Sequence, residues 1–341
     1  MKVIITDPIS ESGISFLKEA DFSVVQLYNA SKEDIIRACE DADGWIIRSG
    51  TKIDKKMIKA AKKLKAIGRA GVGVDNIDID EATKRGIIVM NTPDVNTISA
   101  AEHSIAMMLA LSRNVSIGDS EVKQMKWNRH LLIGSELRGK TLGLVGMGKI
   151  GREVMSRCIS FGMNVLGYDP FVNKEMFKDG EIEIVDLDRL TEQSDFISIH
   201  VPLNSDTTNL FDYKRLKKMK QTARIINVSR GGIINEKDLS RALRDGVISG
   251  AAIDVFTKEP IEKSNPLIDS PNILLTPHLG ASTEEAKEGV SISICQQLKS
   301  YLIDEKLENA INIPFGGLSR IKDLELSLKL SETIGRIQSQ I

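Results

Sequence analysis

Short apolar runs alternate with helix-period segments along most of the chain. In the first 90 residues, Val3–Thr6, Ser23–Leu27, Trp45–Ile47, Lys65–Gly68 and Ile87–Asn91 read as strands. Helix patterns such as Ser31–Cys39 and Asp54–Leu64 lie between them. Strands alternating with helices predict βαβ units around a parallel sheet. Asp54–Leu64 sets Met57, Ala60, Ala61 and Leu64 at helical spacing, with Lys55, Lys56, Lys59, Lys62 and Lys63 on the other side. That lysine face reads as a solvated helix surface. Ser99–Ser112 is apolar nearly all round, which predicts a helix buried on most sides. A polar, basic stretch from Ser116 to Arg138 follows and contains Trp127, Arg129 and His130.

From Gly139 the alternation restarts. Thr141–Val145, Asn164–Tyr168, Phe196–Val201, Arg224–Val228, Ala251–Val255 and Ile273–Leu275 are strand candidates. The expected class is therefore α/β, with two doubly wound parallel-sheet domains. Ile292–Leu302 reads as a helix that returns to the first domain, because nothing after it supplies a new sheet. The expected division is 1–97 plus 285–312, then 98–284, with 313–341 as a linker and the start of an extension. Pro314, Gly316 and Gly317 break the chain. Leu324, Leu328, Ile334, Ile337 and Ile341 then form an apolar helical stripe without a glycine cap or polar tail. An apolar face needs a partner, so a natural protein that continues past this stripe is expected.

Composition narrows the classes. With 341 residues, 41% hydrophobic and 27% charged, the chain holds enough apolar material for two cores. Lys plus Arg (46) nearly balances Asp plus Glu (47), so no net charge draws it to nucleic acid or an anionic membrane. Aromatics at 4% give no stacking platform for single strands. Cys39, Cys158 and Cys295 form no CxxC pair and no zinc spacing, so no metal is expected and the thiols read as reduced and buried. The apolar run Val3–Ile5 is too short for a signal peptide, and Ile105–Leu111 is too short to span a bilayer. A cytoplasmic protein with neither nucleic-acid nor membrane partners is expected.

The sharpest motif is Gly146-Met147-Gly148-Lys149-Ile150-Gly151. It follows a strand, opens the helix pattern Arg152–Phe161, and precedes a second strand that ends at Asp169. In such a βαβ unit the glycines have separate tasks: Gly146 the tight turn, Gly148 backbone access to a pyrophosphate, Gly151 close helix–strand packing. The helix N-terminus offers N–H groups to phosphates. Asp169 is placed to accept from ribose hydroxyls and to repel a 2′-phosphate, which points to NAD rather than NADP.

Hydride transfer from a hydroxyl carbon needs a proton acceptor and positive charge for the substrate. Among the histidines, His103 in the buried helix and His200 before Pro202 read as structural, and His130 sits in the basic stretch. His278 lies in Thr276-Pro277-His278-Leu279-Gly280, just past a strand end, where open α/β sheets bind ligands. Neighbouring strand ends carry Ser229-Arg230-Gly231-Gly232 and, beyond Asp254, Glu259-Pro260. Arg230 reads either as a carboxylate clamp or as a loop ion pair, and Glu259 either as an orienter of histidine or as a surface acid.

Taken together, these segments resemble the D-2-hydroxyacid dehydrogenase family over about residues 1–312. The resemblance extends to Arg48-Ser49-Gly50-Thr51-Lys52, Gly68-Arg69-Ala70-Gly71-Val72-Gly73-Val74-Asp75-Asn76, Asn91-Thr92-Pro93 and Ser99-Ala100-Ala101-Glu102. It also covers Asn227–Gly232, Asp254–Pro260 and Pro277–Thr283. It implies a flavodoxin-like substrate domain built from both chain ends around an inserted Rossmann NAD domain. His278 would be the general base, Glu259 its partner, and Arg230 the clamp on the substrate carboxylate. Substrate contacts would come from Arg48, Ser49, Arg69, Val72, Gly73, Asn96 and Arg129, the last reaching a phosphate across a subunit boundary. NAD contacts would include Lys149, Ile150, Asp169, Val201, Pro202, Val228, Ser229, Asp254 and Gly280. A homodimer through the NAD domain is implied. The arginines favour 3-phospho-D-glycerate as substrate. Glyoxylate or hydroxypyruvate reduction, and an NAD-sensing corepressor, are the alternatives. Long-form members continue into regulatory domains, often serine-binding, which are absent from this sequence.

Overall fold

The computed structural model describes residues 1–172, 177 and 182–313, together with 327, 330, 331, 333–335 and 338. Contacts divide the chain into two units, Met1–Asn96 with Thr283–Ile341, and Thr97–Ser282.

The first unit holds a five-stranded sheet. Its strands are β1 (Lys2–Ile5), β2 (Ser23–Gln26), β3 (Gly44–Ile47), β4 (Ala66–Arg69) and β5 (Ile88–Asn91). They pair in parallel in the order β2-β1-β3-β4-β5, the flavodoxin-like arrangement. Both faces are covered, so strands β1, β3, β4 and β5 are mostly apolar. Val3 and Ile5 pack on one side against α1 (Glu11–Glu19) and α11 (Glu284–Leu302). Ile4 packs on the other, with residues of α2 (Lys32–Cys39), α3 (Lys55–Ala60) and α4 (Ile79–Lys84). α11 lies close on the sheet: a Cβ at Gly68 would meet Ile294 at 2.7 Å.

Side-chain caps set several helix starts, with Ser10, Ser31, Asp54, Asp78 and Thr283 each accepting a first-turn N–H. Two helices differ from the expected spans. α3 is shorter than Asp54–Leu64, because Ala61 leaves helical conformation (φ −77°, ψ 78°) and the chain turns into β4, though Ala61 and Leu64 remain buried. α11 starts at Glu284 rather than Ile292, since Thr283 caps it.

The second unit holds a seven-stranded parallel sheet. Its strands are β6 (Thr141–Val145), β7 (Asn164–Tyr168), β8 (Glu183–Ile184), β9 (Phe196–Ile199), β10 (Arg224–Asn227), β11 (Gly250–Ile253) and β12 (Ile273–Leu275). The order β12-β11-β10-β9-β6-β7-β8 is Rossmann-like and reverses at β6. One face carries α5 (Thr97–Ser112) and α7 (Lys149–Ser160). The other carries α8 (Leu187–Gln193), α9 (Tyr213–Leu216) and α10 (Glu236–Arg244). α5 buries Ala101, Ile105, Met107 and Met108. The polar stretch after it is not irregular throughout: it contains α6 (Val115–Lys123) and a 3₁₀ turn, Arg129–Leu131.

Both units are therefore parallel-sheet α/β folds, as the hydrophobic pattern predicts. Among the described residues, no helix is long and apolar enough to cross a membrane. Of the terminal apolar stripe only Ile334 is described; Leu324, Leu328, Ile337 and Ile341, like Pro314, Gly316 and Gly317, lie outside the described residues.

Candidate active site

The glycine turn joins β6 to α7 where the strand order of the second unit reverses. Gly146 has φ +99°, and a Cβ there would lie 2.6 Å from the His200 carbonyl oxygen. A Cβ on Gly151 would fall 2.2 Å from the Gly146 oxygen, so only glycine lets the helix pack this close. Gly148 differs from both: it is the N-cap of α7, and a Cβ there would have nothing within 4 Å. No side chain caps this helix start. The result is a smooth open cradle at a helix N-terminus, which suits a diphosphate. Asp169, past the end of β7, accepts from the Met147 N–H at 2.8 Å and the Phe171 N–H at 2.9 Å. Those bonds fix its carboxylate beside the cradle, where a ribose would lie. The donor set thus fits NAD.

Three adjacent strands, β10, β11 and β12, present the remaining groups at their carboxyl ends. After β10, the Asn227 side chain folds the turn by accepting from the Ser229 N–H and hydroxyl and donating to the Arg230 carbonyl. Arg230 Nη1 donates to the Ser229 carbonyl at 2.7 Å. Gly231 admits the neighbouring loop, since a Cβ would meet Phe256 at 2.0 Å. After β12, His278 Nδ1 lies 2.6 Å from Glu259 Oε2. Glu259 Oε1 accepts the Phe256 N–H at 2.9 Å. Burial raises the Glu259 pKa, but the bonds from His278 and Phe256 outweigh it and hold the carboxyl below its ordinary value. With the proton of the neutral imidazole on Nδ1, Nε2 is an acceptor. His278 adopts φ +55°, a left-handed conformation uncommon outside glycine. Backbone strain of this kind gathers at functional positions.

Asp254 is fully buried. Its carboxylate accepts the Leu279 N–H at 2.8 Å and the Gly280 N–H at 2.9 Å. Val201 and Pro202 follow β9, and Val228 follows β10, at the same sheet edge. His200 stands beside Ser198 at 2.8 Å, and burial pushes its imidazole pKa down to about 4. Arg129 is exposed on its 3₁₀ turn with His130.

In the first unit, Arg48 follows β3, while Arg69 ends β4 and Val72 and Gly73 follow it. The Arg48–Thr51 loop is held from two sides. Asp7 accepts the Arg48 N–H at 2.6 Å and the Thr51 N–H at 3.0 Å. Asn76 donates to the carbonyls of Arg48 at 2.7 Å and Thr51 at 2.6 Å. Ser49 and Gly50 are exposed at its tip. Asn91 donates to the Val72 carbonyl at 2.6 Å. Asn96 is the last residue before the second unit.

Sequence reasoning gave no role to Asp7, Asn76, Thr276 or, beyond packing, His103. The signal for Asp7 is a carboxylate one residue past an apolar strand end, where it meets neighbouring loop N–H groups. The signal for His103 is a titratable ring on a largely buried helix. Its Nε2 lies 3.2 Å from Asp254 Oδ1.

Residues 105–280 match the family model described as D-isomer specific 2-hydroxyacid dehydrogenase, NAD binding domain. The chain is 42% identical to a D-3-phosphoglycerate dehydrogenase of Methanocaldococcus jannaschii over 100% of its own length and 65% of that protein's. It is 45% identical to a Synechocystis protein of the same name, over 100% of this chain and 61% of that one. Among solved structures, the TT0316 protein of Thermus thermophilus superposes with a TM-score of 0.84 at 32% identity, covering 91% of this chain and 100% of that one. The chain thus spans less than two thirds of the curated relatives it matches. The glycine turn, Asp169 and the His278–Glu259 pair all fall inside the matched segment, and the chain belongs to the D-isomer-specific 2-hydroxyacid dehydrogenase family, carrying that family's NAD-binding domain.

Proposed function

We propose that this chain oxidises 3-phospho-D-glycerate to 3-phosphohydroxypyruvate with NAD, the first reaction of L-serine synthesis. The observation that carries the chemistry is the His278–Glu259 pair at 2.6 Å, which leaves Nε2 as a proton acceptor at a strand end. The substrate assignment is supported by the name shared by the relatives at 42% and 45% identity. It is also supported by the number of arginines among the expected contacts, whose planar forks suit carboxylate and phosphate oxygens.

In this reading the bound nicotinamide supplies a hydride acceptor. His278 Nε2 takes the proton from the substrate hydroxyl as the carbonyl forms. Glu259 keeps the ring oriented and stabilises the imidazolium that results. Arg230 grips the carboxylate and α-oxygen, where charge develops. Gly146, Gly148, Lys149, Ile150 and Gly151 hold the diphosphate, and Asp169 the ribose. Val201, Pro202, Val228, Ser229, Asp254 and Gly280 line the cofactor side. Arg48, Ser49, Arg69, Val72, Gly73 and Asn96 hold the substrate, and Arg129 its phosphate.

The second unit also supports a homodimer. Met125, Trp127, Leu131 and Ile133 expose 94, 77, 69 and 83% of their surfaces on one stretch around Arg129. Apolar groups so concentrated mark an interaction surface. A second copy covering them would lie beside Arg129. Three free, buried cysteines fit a reducing, cytoplasmic setting.

The deciding experiment measures NADH formation with 3-phosphoglycerate, D-lactate and D-glycerate at alkaline pH, with a trap for the keto product. Turnover confined to 3-phosphoglycerate supports the reading, and turnover of D-glycerate alone overturns it. Arg129→Ala is expected to raise KM for 3-phosphoglycerate while leaving the NADH Kd within about twofold, since phosphate contacts are local charge-assisted bonds. Equal losses would refute its phosphate role.

A further inference from the structure

The loop that carries His278 is anchored to one carboxylate. Asp254, 0% exposed, accepts N–H bonds from Leu279 and Gly280, on either side of the chain's turn after His278. The Asp254 carbonyl oxygen takes the His278 N–H itself at 2.8 Å. A non-glycine residue at φ +55° persists only where its surroundings over-determine it. Those three bonds do that, and the two from Leu279 and Gly280 depend on where the Asp254 carboxylate points.

What points Asp254 is a pair of polar side chains, Thr276 at the start of the loop and His103 from outside it. The Thr276 hydroxyl donates to Asp254 Oδ1, a stronger acceptor than the Met107 thioether 3.5 Å away. With its proton committed, that oxygen offers lone pairs. His103 Nε2, from α5, lies 3.2 Å from Asp254 Oδ1 and 3.3 Å from Thr276 Oγ1. Both facing atoms are acceptors, so the shared geometry places the His103 proton on Nε2 and makes the ring a donor to both. Desolvation of Asp254 would raise its pKa, but the bonds from His103, Thr276 and Leu279 outweigh it and hold the group ionised.

We propose that His103 is a positioning residue for the reaction: from α5 it fixes the Asp254 carboxylate, and through it the strained 276–280 loop that presents His278. The inference rests on the reading of His278 as the general base. It gives a role to a ring nitrogen that α5 holds at this edge of the sheet, whereas the buried hydroxyls of Ser104 and Ser112 on the same helix bond only to its own backbone carbonyls. Removing the donor leaves a buried carboxylate short of a partner, a situation that structures relieve by shifting the group. The loop then loses its fixed reference, and the His278 ring its alignment with Glu259.

The test combines His103→Ala, His103→Gln and Thr276→Val with steady-state kinetics and the NMR signal of the His278 Nδ1–H in the absence of substrate. Gln places an amide N–H near the position of Nε2. In His103→Ala, kcat is expected to fall about tenfold, with KM for 3-phosphoglycerate within about threefold, because a positioned base acts in the transition state. The Nδ1–H signal, downfield while that proton is bonded to Glu259, is expected to move upfield or broaden as the contact loosens. His103→Gln should recover most of both. Thr276→Val, which keeps the shape but removes the hydroxyl, should move both in the same direction as His103→Ala. Unchanged kcat and an unchanged His278 signal in His103→Ala overturn the proposal. So does a His103→Gln variant as impaired as His103→Ala, which would mean that the ring only packs. Should His103→Ala fail to fold, His103→Gln must keep near-normal values and Thr276→Val must show the loss, or the proposal falls. If the native protein turns over no 3-phosphoglycerate, the functional reading fails, and the His278 signal in the variants alone decides the positioning role.

Discussion

Glu259→Gln is the sharpest perturbation of the proposed chemistry. It removes one charge beside His278 and keeps the side chain's shape. Two unit charges about 4 Å apart attract by about 1 kcal/mol in water and by about 4 kcal/mol at an effective dielectric of 20. The side chains of His278 and Glu259 are 41% and 36% exposed, so the pair lies toward the watery limit. Losing about 1.4 kcal/mol of that attraction from the imidazolium that forms in the transition state costs about tenfold in rate. The assay is kcat/KM for NADH formation at alkaline pH. It should fall by about 10- to 100-fold in the variant, because the ring also loses its orienter. Stability gives a second readout. The Glu259 pKa is depressed in the folded state, so its contribution is fully present above the unfolded carboxyl pKa and is lost as pH falls through the folded value. The Tm difference between native protein and variant should thus hold steady near neutrality and shrink below about pH 4.3. A variant whose kcat/KM stays within about twofold of the native value would refute the pairing as a working part of the site.

The glycine turn separates packing from binding: Gly151→Ala puts a Cβ 2.2 Å from the Gly146 oxygen, so both Tm and NADH affinity should drop, while Gly148→Ala has open space and should weaken NADH binding at unchanged Tm. Thermal melts and calorimetric titration read the two apart. Asp7→Asn removes the charge that takes the Arg48 and Thr51 N–H groups, and should raise KM for 3-phosphoglycerate several-fold, with about a tenfold ceiling, while leaving the NADH Kd unchanged. Burial pushes the thiols of Cys39 up to about 11 and of Cys158 and Cys295 up to about 12. Iodoacetamide at pH 8 should therefore leave all three unmodified until the protein is denatured, as mass spectrometry would show.

The sheet class was legible because both faces of each sheet are covered. Strands such as β1 and β9 then read as mostly apolar runs, and several were located to within a residue or two. Helices were less legible where packing, not pattern, holds them. α1 contains Ser12 and Gly13, weak helix formers, and is held by Ile14 and Leu17 in the core it shares with α11. α6 buries none of its residues, so no apolar stripe marks it in the sequence.

The candidate site divides along the same physical line. Glycines of the turn, Asp169, Arg230, Glu259 and His278 each sit in short contiguous motifs at strand ends, where topology alone brings a ligand. The residues that aim them do not. Asp7 reaches a loop 41 positions away, and His103 meets a carboxylate 151 positions along the chain. No local period or spacing encodes such a pair; it exists only once the sheet order puts α5 beside the ends of β11 and β12. A buried carboxylate is the common element. Asp7 and Asp254 each gather backbone N–H groups of a loop that carries a proposed contact residue, and each leaves that residue's own side chain uncommitted by the anchoring bonds. Holding a loop by its backbone fixes the position of Arg48 or His278 without constraining the group that meets substrate. At His278 the working ring itself is also bonded, to Glu259, and there the electronic effect of the bond is part of the proposed chemistry.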